Sequence, residues 1–209
     1  RLLLFGFADF DFISESLLPS QYRPSVDRRF QVGEMAYDVI VAPNLRTIRS
    51  STLSRLTEFV ESGGTVLFIG EIPSLVDAVP SPAPRQLAEQ CLFAPKVGPR
   101  LLDMLQPYCD VRLLDARGAQ ANAALYQMRQ EDDSRYVFVC NTRRDEGLPA
   151  RELHIRGEWQ GLVLYSLTGK ESPLFATYAD GWTCIPCDLP AHGSLLLALE
   201  PGRASVPPH

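Results

Sequence analysis

The stretch from Tyr37 to Glu71, YDVIVAPNLRTIRSSTLSRLTEFVESGGTVLFIGE, leaves this chain the least conformational freedom. YDVIVA is a short, nearly continuous apolar run, as expected of a strand covered on both faces, and Pro43 ends it. Leu53, Leu56, Phe59 and Val60 then fall on one face of a helix. Thr47, Ser50 or Ser51 can cap its start through a side-chain oxygen. Gly63 stands where a left-handed residue closes a helix, and TVLFIG is the next buried strand. Strand, helix and strand in so few residues imply a right-handed parallel crossover. The first half is therefore expected to be a small doubly wound α/β domain whose first strand is incomplete.

Around this unit the signals are shorter. PSLVDAV and APRQLAEQCLF read as helix and loop, broken by Pro80, Pro82, Pro84 and Pro95. VGPRLLDMLQPY places Leu101, Leu102 and Leu105 on one helical face, and DVRLL reads as an edge strand. RRFQVGEMAYD holds a short strand, while FADFDFISESLL is ambiguous, with Ser14 or Ser16 able to open a short helix. The pattern changes at DARGAQANAA (115–124), small and polar enough for a linker. Beyond it no helical period remains. ALYQMRQ and SRYVFVCN flank EDD as a hairpin. RELHIRG, GLVLYSL, SPLFATY, WTCIPCDL and SLLLALE follow at spacings of about ten residues, separated by turn signals. That spacing predicts an antiparallel sandwich or barrel. The expected division is an α/β domain over 1–116, a β-sandwich over 124–200 and a flexible tail over 201–209.

The chain has 209 residues, room for one large or two small domains, and 45% hydrophobic residues, enough for real cores. A net charge of −5 without a basic patch argues against a nucleic-acid partner. The longest apolar runs, such as SLLLAL, are too short to span a membrane. Arg1 has no Met before it and RLLLFGF lacks a signal peptide's length and cleavage site, so the chain reads as a piece of a longer protein whose localisation signals lie outside this sequence; the localisation is unknown, with a soluble, cytoplasmic protein as the expectation. Cysteines at 91, 109, 140, 184 and 187 are odd in number and scattered, unlike a disulfide framework. The single C-x-x-C pair, Cys184 and Cys187, is half of a zinc site at most, and on a strand the two point to opposite faces.

Little chemistry stands out. A phosphate cradle needs strand, glycine loop, helix, whereas Gly63–Gly64 follows a helix and precedes a strand. Ligands of α/β sheets gather beyond the carboxyl ends of strands, here APNL and IGEIP, which makes Asn44 and Glu71 binding candidates. A covalent catalyst would place Cys or Ser on such a turn; this sequence has Gly70 and Glu71. His154, His192 and His209 all lie elsewhere. The Asp9–Asp11 pair suits a solvated loop or a hydrogen-bonded turn better than an acid/base pair. No metal-ligand spacing and no cofactor motif is present. Among the aromatics, Tyr165 and Trp182 are expected to alternate into the sandwich core. Trp159, in a turn, is the better candidate for exposure, and both tryptophans are candidates for stacking on sugar rings.

Taken together, YDVIVAPNLRTIRSSTLSRLTEFVESGGTVLFIG and the preceding ADFDFISESLL resemble the glutamine-amidotransferase-like domain of multidomain glycoside hydrolases, found beside a TIM barrel in beta-galactosidases and in large alpha-L-rhamnosidase-like enzymes. MRQEDDSRYVFVCNTRRDE, VLYSLTGKESPLF and CDLPAHGSLLLALE resemble the β-sandwich that follows it. The resemblance covers roughly 9–200 and implies a flavodoxin-like parallel-sheet domain followed by an antiparallel β-sandwich. True amidotransferases carry a nucleophilic cysteine where this chain has Gly70-Glu71-Ile72, and the barrel's carboxylates lie outside this sequence, so no catalytic residue carries over. The implied function is a non-catalytic C-terminal region of a glycoside hydrolase. It would pack on the TIM-barrel catalytic domain of the same parent chain, shape its cleft and mediate homo-oligomer formation, with a carbohydrate-binding module as the alternative.

Overall fold

The computed structural model describes residues 1–24, 27–148 and 150–203. The chain divides into two compact units, one of residues 10–108 and one combining 1–9 with 109–209. The expected flexible tail falls largely outside the described residues.

The 10–108 unit is built on a parallel three-stranded sheet, Val39–Ala42, Thr65–Ile69 and Leu92–Ala94, with Thr65–Ile69 in the middle. Val66, Leu67, Phe68 and Ile69 are all buried, as a central strand covered on both faces requires. The helix Ser50–Glu61 forms the crossover and turns Leu56 and Phe59 into the same core as Val66 and Phe68. Phe30 packs edge-on to Phe59, with centroids 5.3 Å apart. Gly63 ends the helix at φ 87°. At Gly64 a Cβ would lie 2.2 Å from the Phe59 ring, so only glycine fits there.

Three local expectations change. None of Thr47, Ser50 and Ser51 caps the helix with its side chain; the Ser50 N–H donates instead to Asp77 Oδ1 at 3.1 Å. That carboxylate arrives from PSLVDAV, which forms a hairpin of Leu75–Val76 and Val79–Pro80 turning through Asp77 and Ala78, both at positive φ. Consecutive left-handed residues suit a tight hairpin turn, a geometry that helical periodicity does not reveal. The third parallel strand, Leu92–Ala94, lies in a stretch that reads as helix and loop, because three residues are too few to show a period.

The other unit holds two antiparallel sheets. One is ordered Val111–Asp115, Ala150–Arg156, Trp182–Pro186, Thr177–Ala179. The other is ordered Ala124–Glu131, Ser134–Asn141, Ser194–Pro201, Trp159–Tyr165, Lys170–Pro173. Inward residues of both, including Leu113, Leu153, Ile155, Val137, Val139 and Leu197, share one core, which gives a sandwich. DVRLL is an edge strand, but it belongs to this sandwich and not to the α/β domain expected over 1–116, because its partner is Ala150–Arg156. Phe7, at φ 58°, is fully buried in this core and stacked on Tyr126 at 4.6 Å. Gly161 is obligatory: at φ 147° its Cβ would lie 2.0 Å from the Ala198 carbonyl oxygen of the neighbouring strand.

One buried polar residue closes the end of the sandwich. The Asn141 amide donates to the carbonyls of Glu146, Leu189 and Pro190 at 2.9, 3.3 and 2.9 Å. Its oxygen accepts the Arg143 N–H at 2.9 Å. It thereby ties two loops to the end of a central strand. Asn141→Ala should cost about 3 kcal/mol in urea unfolding, since it strands several buried partners at once. Asn141→Asp should cost more at neutral pH. Carbonyl oxygens around a carboxylate raise its folded pKa, so the deficit grows as pH rises through the carboxylate range and shrinks near pH 4.

Candidate functional site

The strand ends of the parallel sheet bring two of the expected residues together. Asn44 Oδ1 accepts the Glu71 backbone N–H at 2.9 Å. Gly70, between them, takes φ 73°, and a Cβ there would come within 3.3 Å of Asn44. The Gly70 N–H donates to the Ala94 carbonyl at 2.9 Å, so the ends of all three strands are tied at this turn. Asn44 and the Glu71 side chain are exposed. The turn is thus built around an asparagine acceptor, and its left-handed position would strain a nucleophile-bearing residue. Asp11, exposed in an irregular loop, accepts the Tyr37 hydroxyl through Oδ2 at 3.0 Å, a contact between distant residues and not a turn.

The two tryptophans lie in opposite sheets and carry cations on their rings. Trp159 is half-buried, packs against the sandwich core, and donates from Nε1 to the Arg156 carbonyl at 2.6 Å. The Arg135 guanidinium lies 4.6 Å from its ring centroid. Trp182 points away from the core, with Arg112 at 4.4 Å and Arg156 at 4.6 Å from its ring centroid. Arg156 is also paired with Asp110 at 3.1 Å. Burial, and then the neighbouring charge of Arg156, lower the Arg112 pKa. The burial pattern therefore runs opposite to expectation. Trp159 begins a strand on its inward parity, while Trp182 takes the outward parity and Tyr165 is exposed. The sequence shows the alternation but not its phase.

No acid–base–nucleophile set forms among the described residues. His154 Nε2 sits 2.9 Å from Glu152 Oε2 and pairs in register with Cys184. That thiol is buried, however, and burial followed by the Glu152 charge raises its pKa, so it stays protonated. Cys187 points into the core, on the face opposite Cys184. No group of three or more His, Cys, Asp or Glu able to hold a metal ion comes together among the described residues. A shallow surface groove of about 360 Å³ is lined by Gln160, Leu162, Pro173, Glu200 and Arg203.

No family model matches this sequence, and no curated protein does. Solved structures do. A rhamnosidase from Novosphingobium sp. PP1Y matches 96% of this chain with a TM-score of 0.68 at 16% identity, and the chain spans 21% of that protein. Alpha-L-fucosidase isoenzyme 2 from Paenibacillus thiaminolyticus matches 97% of the chain with a TM-score of 0.52 at 9% identity, over 44% of its length. At these identities the likeness is one of fold. The chain spans about a fifth of the first of these proteins and under half of the second.

The thiols give a measurable signature. Burial pushes Cys91 and Cys187 up to about 11. Their folded values lie above the unfolded one, so their contribution to stability is complete below about pH 9 and is lost as pH rises toward 11. The urea midpoint should fall over that window, and both thiols should react slowly with an aromatic disulfide at pH 8 until the chain is unfolded.

Proposed function

We propose that this chain is an accessory, non-catalytic region of a multidomain glycoside hydrolase, with an amidotransferase-like, flavodoxin-like α/β unit followed by a β-sandwich. Its work is to pack on the TIM-barrel catalytic domain of the same parent chain and form part of the wall of its cleft. The observation that carries this is the fold likeness over 96% of the chain to 21% of a rhamnosidase. The Gly70–Glu71 turn supports it, because a glycine held against Asn44 stands where an amidotransferase needs its nucleophile. Without a positioned nucleophile and base, covalent catalysis has no starting point. The 209-residue chain should turn over neither aryl glycosides nor glutamine. Hydrolysis of either above the rate of a Glu71→Gln control would overturn the reading.

A second reading, carbohydrate binding, is favoured by the joining of Asn44 and Glu71 at the strand ends with polar groups exposed. On a glycan panel, binding that survives Trp159→Ala but drops at least tenfold in Glu71→Gln would place the sugar at the strand ends. Loss in Trp159→Ala with an intact fold would place it on the sandwich.

A further inference from the structure

In the five-stranded sheet, Val137, Val139, Val163, Leu197 and Leu199 point into the core. The alternate residues form the opposite face. One row across the strands is Arg129, Tyr136, Ala198, Leu162 and Pro173. The next is Gln127, Phe138, Leu196, Leu164 and Glu171. Tyr136, Phe138 and Leu162 are 42%, 36% and 36% exposed. Strands about 4.8 Å apart and rows about 6.8 Å apart give these two rows a face of about 330 Å² in projection. That falls within the range for the largest patch on a monomeric protein, about 300–600 Å².

Two features single out the occupant. Ser194–Pro201 is the middle strand, with two strands on each side, so the sheet has a natural two-fold line along it. The lateral edges carry opposite charges, Arg129 on one and Glu171 on the other, both exposed and without an ion-pair partner among the described residues. We propose that this face packs against the same face of a second copy of the chain about a two-fold axis parallel to Ser194–Pro201. That rotation exchanges left and right while keeping the rows. Leu196 and Ala198 meet their own counterparts, Tyr136 covers Leu162, and Phe138 covers Leu164. Arg129 comes opposite the edge that holds Glu171, one row away, within the span of an arginine side chain. The contact is isologous and closes at two copies, with the strand directions kept aligned as in sheet-on-sheet packing. The inference does not depend on the glycoside-hydrolase reading, and its failure would leave that reading untouched.

Sedimentation velocity of the 209-residue chain from about 1 to 300 µM tests it, a range that brackets ordinary interface affinities. A monomer–dimer equilibrium is expected, with Leu164→Asp weakening association at least tenfold while circular dichroism stays unchanged. Arg129→Glu and Glu171→Arg should each weaken the dimer several-fold, and the double exchange should restore it. These edge residues are exposed, so they carry the test even if Leu164→Asp misfolds. A chain monomeric throughout the range, because some other surface covers this face or none does, overturns the proposal. So does a dimer indifferent to Leu164→Asp in a folded chain, or one that the double exchange fails to restore.

Discussion

The strict alternation of side chains between the two faces of a strand is the constraint on which the β unit rests. Once Val137, Leu197 and Val163 face the core, every second residue in those strands is committed to the opposite face. The packing of Trp159 against the core follows from that phase. Slipping one register would exchange the two faces throughout. Asn141 resists this by fixing the end of one central strand to two loops through four hydrogen bonds.

The α/β unit solves a different problem, which is how to end three parallel strands without leaving backbone groups unpaired. Asn44 and the Ala94 carbonyl take the N–H groups of Glu71 and Gly70. Asp77 does the same for the first turn of the long helix, where a carboxylate also complements the helix dipole. Hydrogen bonding to Ser50 holds the Asp77 carboxyl below its ordinary value. Asn44 and Asp77 thus have structural partners among backbone N–H groups.

Much of this was legible in the sequence. The strand–helix–strand unit, the helix stop at Gly63, the hairpin around residues 131–133 and the later strands follow from periodicity and turn residues. What escaped depends on distant parts of the chain. Phe7 sits in a nine-residue leader with no period, yet it is buried against Tyr126 more than a hundred residues away. The helix is capped by Asp77 and not by its own serines, because the competing acceptor arrives from another hairpin. Of the candidate residues, the placement of Asn44 and Glu71 at the strand ends was legible. The cations over Trp159 and Trp182 were not, since Arg112, Arg135 and Arg156 become their neighbours only through strand pairing.

Ser194–Pro201 comes after every other strand of the sandwich in sequence, yet it lies at the centre of its sheet. During synthesis the earlier strands emerge as two separate hairpins, Ala124–Asn141 and Trp159–Pro173, each with one edge waiting for the same missing strand. The sheet cannot be assembled in order of appearance. Its two halves stay unjoined until this segment has emerged, so completion of the sheet waits for it. An interrupted message would leave two open β edges available to any other chain nearby.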